Sequence, residues 1–150
     1  VTRDIIIVPT IDTEMVGDNA DIFKINLYTF AGNVSKDFSN AINEFIETGS
    51  TKLIIDVRNN PGGFLDASID IASYFVPQDK PVVIEDFGSE AEEIVYRSKG
   101  FPVLAGKDLD VVVLIDGGSA SASEIPVGSG SGCLHAPTPI PTNTRIQILK

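Results

Sequence analysis

Twice in this chain an apolar, strand-like run ends in a glycine turn and opens a helix-forming stretch. Residues 53–57 run into Arg58-Asn59-Asn60-Pro61-Gly62-Gly63, and residues 111–115 run into Asp116-Gly117-Gly118-Ser119-Ala120-Ser121-Ala122-Ser123-Glu124. Strands that hand over to covering helices predict an α/β layer fold with right-handed crossovers. A helix start also presents N–H groups that have no intrahelical partner. One such turn can donate to an oxyanion while the other supplies a serine nucleophile, which together are the needs of acyl transfer.

The rest of the sequence reads as further layers of the same fold. Residues 4–9 predict a strand, 12–21 a polar connector, and 22–30 a second strand in which Phe23, Ile25 and Leu27 alternate toward one face. Phe38, Ala41, Ile42, Phe45 and Ile46 recur at helical spacing from Ser35 until Gly49 stops the pattern. Leu65, Ile69, Ala72 and Phe75 form a second helical stripe over 64–75, with Pro77 beyond it. Residues 81–85 and 93–97 predict a strand pair around an acidic loop. The apolar run 109–115 predicts a central strand covered on both faces, and residues 121–125 begin a third helix.

With 150 residues the chain can build one domain with a real core. Its net charge is −10, and residues 1–125 alone carry −12. That excess argues against nucleic acid or an anionic membrane as the main partner. Cys133 is the single cysteine, so no disulfide can form within the chain. After Ile125 the composition turns to glycine, serine and proline, like a linker or fusion scar, and residues 126–150 are set apart as a non-native-looking tail.

Each motif has a plainer reading. Ser121-Ala122-Ser123-Glu124 fits a capping box, in which the first serine only caps a helix. Asp66 and Asp70 lie four apart on a helix, without a third ligand at a suitable offset, and read as a solvated face. His135 falls among prolines with no element to hold it. For the first glycine turn, Arg58 to Asn60 supply groups that can pin the loop, and Gly62-Gly63 permit close approach of a substrate backbone.

Taken together, the two segments are specific. Residues 22–125 resemble the core of the carboxy-terminal processing, or tail-specific, proteases, within the wider Clp-protease/crotonase-like fold group of layered ββα units. That family carries D-hydrophobe-R-N-N-P-G-G at a strand end, followed later in the chain by S-A-S-A-S-E-I; both stand here in order. The resemblance implies that residues 1–13 are the end of an upstream PDZ domain and its linker, and residues 14–125 a partial peptidase domain truncated on its C-terminal side. It implies Ser121 as nucleophile, with oxyanion-hole N–H groups from Ala122 and from Gly62 or Gly63. It further implies protein substrates recognised through an unstructured apolar C-terminus, no metal or organic cofactor, and work in the periplasm, cell envelope or thylakoid lumen.

One family element is missing. The general base there is a lysine about 25 residues after the nucleophile, in a T-x-G-K-G-x-x-Q segment, and Ile146 stands at that position here. Arg145 beside it holds its proton too tightly to serve. The sequence therefore predicts a chain that is inactive as given. Two other readings stay open: a peptide-binding module that does not cut, and an acyl-thioester enzyme of the crotonase-like group. The latter would need a basic patch for coenzyme A phosphates, which the acidic body lacks.

Overall fold

A computed structural model describes residues 9–85, 92–123 and 144–149. Ten elements follow in order: β1 (Ile11–Val16), β2 (Ile22–Leu27), α1 (Val34–Thr48), β3 (Lys52–Asp56), α2 (Leu65–Ala72), β4 (Pro81–Glu85), β5 (Ile94–Arg97), a 3-10 turn (Pro102–Leu104), β6 (Leu109–Leu114) and β7 (Thr144–Leu149). The main sheet has the order β1-β2-β3-β6-β7, and β4 and β5 form a separate antiparallel ribbon. β1 pairs antiparallel with β2; β2, β3, β6 and β7 run parallel. The α/β layered architecture is as the sequence predicts.

The core follows the alternation of the strands. Phe23, Leu53 and Val111 share one row across three strands, and Ile25, Ile55 and Val113 the next; all six are almost fully buried. Against them lies the apolar face of α1, with Val34, Phe38, Ala41, Ile42 and Phe45 buried. Gly49 ends that helix with a left-handed φ of 72°, a conformation that only glycine adopts at no steric cost. Helix α2 is buried on two sides: Ala67 and Ile71 join the main core, while Ile69 and Ala72 pack on Val82 and Val83 of β4. Each fully buried Val, Ile, Leu or Phe among them contributes about 1.5–3 kcal/mol of apolar burial.

Several boundaries differ from the sequence reading. The segment 12–21, taken as a connector, holds most of β1, which also runs through the expected boundary at 13/14; its half-exposed edge position tolerates the polar residues that disguised it. The predicted strand 4–9 lies, but for Pro9, outside the described residues. α2 stops at Ala72, and residues 73–75 continue only as turns. Strand β6 is central, but Val112 and Leu114 remain half-buried, because among the described residues no helix covers that face. The third helix appears as a 3-10 turn at 121–123; its continuation is outside the described residues. Within the tail that was set apart, residues 144–149 form β7 in register with β6, Ile146 opposite Val111. Their alternating Ile146, Ile148 pattern is a strand pattern that the surrounding prolines and glycines obscured.

Candidate active site

The site forms at the carboxyl ends of β3 and β6, which are neighbours in the sheet. At the end of β3, Asp56 is buried and accepts from Arg58 Nε at 2.8 Å and Nη2 at 2.6 Å. Lys24 approaches the same carboxylate at 3.4 Å and Glu14 at 3.1 Å. Burial would raise the Asp56 pKa, but the Arg58 hydrogen bonds and the Lys24 charge outweigh it and hold the carboxyl below its ordinary value of 3.8. A depressed carboxylate stabilises the fold above its unfolded pKa, and that contribution is lost as pH falls through the folded value. Asp56→Asn is therefore expected to cost about 1–2 kcal/mol at pH 7, Arg58 being half-exposed. Urea titrations should show the gap from the parent closing below about pH 3.8; a gap unchanged at pH 3 would refute the ion pair's role.

Beyond Asp56 the two turns are laced together. The Val57 N–H donates to Leu114 O at 3.0 Å, extending the β3–β6 pairing by one residue. Asp116 Oδ1 accepts from Asn59 N at 2.8 Å and from Gly118 N at 2.9 Å. These bonds, that from Asn59 foremost, lower the Asp116 pKa against a smaller opposing effect of burial. Asn60 is fully buried: its Nδ2 donates to Leu27 O at 2.8 Å and its Oδ1 accepts from Gly62 N at 2.8 Å. Its carbonyl accepts from Ala120 N at 3.1 Å and from Ser123 Oγ at 2.8 Å.

The three serines of the second turn thus have different surroundings. Ser119 Oγ donates to Val57 O at 2.7 Å, and Ser123 Oγ is committed to Asn60. Ser121 is exposed, with a left-handed φ of 56°, and its hydroxyl has no hydrogen-bond partner among the described residues. The first glycine turn comes right against it. A Cβ built on Gly62 would lie 2.7 Å from Ala120 O, 2.9 Å from Ser121 Cβ and 3.0 Å from Ala122 N. No side chain fits there, so the glycine permits the approach of the two turns.

The sequence offered Gly62 or Gly63 as an oxyanion donor, and their surroundings separate them. The Gly62 N–H is engaged by Asn60 Oδ1. Gly63, bridged to Phe30, has an N–H with no partner among the described residues, as does Ala122. Ala122 is buried directly after the exposed serine.

Of the other candidates, Asp70 pairs with Lys99, and Asp66 lines a hollow of about 510 Å³ with Ser35, Phe64, Leu65 and Tyr96. His135 lies outside the described residues. Lys24 and Lys52 are held protonated. For Lys24, burial is outweighed by Glu14 and Asp56; for Lys52, the bond to Asp21 raises the pKa. Sequence reasoning missed Phe64, which stands 66% exposed beside Gly63. Its signal was that it falls off the Leu65–Ile69–Ala72 stripe.

Comparison with known proteins shows the family. Residues 21–129 match the model for peptidase family S41. A probable CtpA-like serine protease of Staphylococcus saprophyticus is 34% identical over 129 residues, covering 86% of this chain and 25% of the relative. The corresponding Staphylococcus haemolyticus protein is 35% identical over 112 residues, 75% of this chain and 22% of the relative. The chain thus spans about a quarter of these relatives' length. A photosystem II D1 C-terminal processing protease superimposes with TM-score 0.69 and 26% identity, over 85% of this chain and 35% of that one. A putative S41 protease from Bacteroides fragilis shares the fold at TM-score 0.63 and 19% identity, over 97% of this chain and 39% of that one. The chain belongs to peptidase family S41.

Proposed function

We propose that this segment is the nucleophile-bearing part of a serine endopeptidase that cleaves proteins recognised through an unstructured, apolar C-terminus. The supporting observation is the contrast among the three serines: Ser119 and Ser123 are tied down, while Ser121 is free and lies against the glycine turn. In the reaction, Ser121 Oγ attacks the scissile carbonyl as its proton passes to a neutral lysine amine. The Gly63 and Ala122 N–H groups hydrogen-bond the resulting oxyanion. The lysine then returns the proton to the leaving amine as the C–N bond breaks, and water hydrolyses the acyl-serine by the same steps. Two aligned N–H donors contribute a few kcal/mol to lowering the barrier.

The base is a lysine other than those engaged with Glu14, Asp56, Asp21 and Asp70. Position 146, where the family's lysine is expected, carries Ile146, and this reading assigns the base to a lysine outside the two turns. An upstream PDZ domain and an extracytoplasmic location belong to the same proposal. The CtpA-like names of the relatives support the location, and the PDZ domain rests on the resemblance alone.

A fluorophosphonate serine-hydrolase probe tests the reading. The full-length protein is expected to label at Ser121, and Ser121→Ala to remove the label. The 150-residue chain is expected to stay unlabelled, since general-base help is worth about 10²–10⁴-fold. Labelling that survives Ser121→Ala would overturn the assignment of the nucleophile. A full-length protein that never labels would favour a peptide-binding module that does not cut.

A further inference from the structure

We infer that Asn60 is a positioning residue for the peptidase reaction, withdrawing the Gly62 N–H from the site and fixing the Gly63 and Ala122 donors relative to one another. This rests on the serine-peptidase reading of Ser121. Asn60 belongs to neither donor and touches no substrate, yet one buried residue bonds three segments. Its Nδ2 anchors it to the end of β2 at Leu27 O, and its Oδ1 holds the Gly62 N–H, both at 2.8 Å. Its carbonyl holds the serine turn through Ala120 N and Ser123 Oγ, on either side of Ser121 and Ala122.

The geometry has a chemical consequence. Gly62 and Gly63 have φ of 96° and 148°, and with the Gly62 N–H engaged by Asn60 the Gly63 N–H is the one left without a partner among the described residues. With Asn60 lost, the Gly62 N–H would be free to compete for the developing charge, in a geometry not matched to Ala122. Donors even about 1 Å out of place lose much of their value at a transition state. Asn60 therefore acts on kcat and leaves the binding of the substrate chain largely alone.

Asn60→Asp gives a readout that a purely structural role would not move. The protonated carboxyl can donate to Leu27 O and accept from Gly62 N, as the amide does. The ionised form cannot donate to Leu27 O and places a negative charge behind the oxyanion donors. Burial favours the neutral acid and moves such a titration up by as much as about 3–5 pH units. The charged groups packed around the position are Asp56 and Arg58 at the start of the loop, Lys24 and Glu14 on β2 and β1, and Asp116 on the facing turn. None is bonded to the Asn60 side chain, so the pH response would belong to the substituted carboxyl.

Peptide cleavage by the full-length protein and its variants is the test, read as kcat and KM from about pH 5 to 8 alongside thermal melting. For Asn60→Asp, kcat relative to the parent is expected to fall at least about 10-fold across that range, with KM nearly unchanged. Ser123→Ala, which removes one bond to the Asn60 carbonyl at little cost in volume, is expected to lower kcat about 5–30-fold at every pH. A pH-independent Asn60→Asp ratio, or a loss confined to KM, would overturn the inference. So would a Ser123→Ala protein with parental kcat, which decides the matter even where Asn60→Asp fails to fold. Ser121→Ala runs in parallel: activity surviving there overturns the nucleophile reading itself, whereas its loss beside a flat Asn60→Asp ratio overturns the Asn60 inference alone.

Discussion

Replacing Ser121 by glycine is expected to make the protein more stable while abolishing the peptidase activity proposed for the full-length protein. The residue sits at φ 56°, a left-handed conformation that costs a non-glycine residue about 1 kcal/mol or more. Glycine relieves that strain and gives back part of the gain through the greater freedom of its unfolded chain. A net stabilisation of up to about 1 kcal/mol remains, a rise of about 2–4 °C in melting temperature. Because the Ser121 hydroxyl has no partner among the described residues, Ser121→Ala should leave stability within about 0.5 kcal/mol of the parent. In the full-length protein, on the proposed role of Ser121, both variants should lose roughly 10⁴-fold or more in kcat, as expected when a nucleophile is removed. Calorimetry of the three proteins orders them glycine, serine, alanine, with the last two close. A glycine variant less stable than the alanine one would contradict the strained turn.

The largest structural effect is expected from Gly63→Ala. The glycine has φ 148°, and an added Cβ would fall 2.4 Å from Phe30 O and 2.6 Å from Phe30 C. These are backbone atoms that cannot swing aside. They also belong to a pairing in which Phe30 N donates to Gly62 O at 2.9 Å and Phe64 N to Phe30 O at 2.7 Å. Relief of the clash means breaking that pairing, on top of a φ that L-residues avoid. The combined cost is about 3–4 kcal/mol, or roughly 10 °C in melting temperature for a chain of this size. Denaturant titration of the variant measures it. A loss below about 1 kcal/mol would mean that the turn is not seated on Phe30.

How much of this was legible depended on whether a residue's neighbours in sequence were also its neighbours in space. The stripe of α1 and the alternation of β2 are local patterns, and both fold as they read, with Phe38 and Ile25 fully buried. β1 was missed because an edge strand need not be apolar: its polar positions, such as Glu14 and Thr13, find partners on β2 and α1. β7 was missed because proline- and glycine-rich sequence precedes it. The site was legible as two motifs, and the resemblance singled out Ser121 among the serines but left Gly62 and Gly63 alike. The different surroundings of Ser119, Ser121 and Ser123 were not legible from the residues themselves. For the serines the distinctions come from Val57 O and Asn60 O, more than 50 residues away in the chain; for the glycines they come from the Asn60 side chain, which accepts from Gly62 N.

That distance has a consequence for when the chemistry can exist. Ser123 and Asn60 meet across 63 positions of the sequence, and their turns come together only once β3 and β6 have paired at the centre of the sheet. Contacts of such long range form late, because the closure of the intervening loop must precede any gain from them. A growing or partly unfolded copy carries the same serine and the same glycines, yet has no place where a peptide carbonyl could be held. On the proposed function, proteolytic competence would arise only with the completed fold.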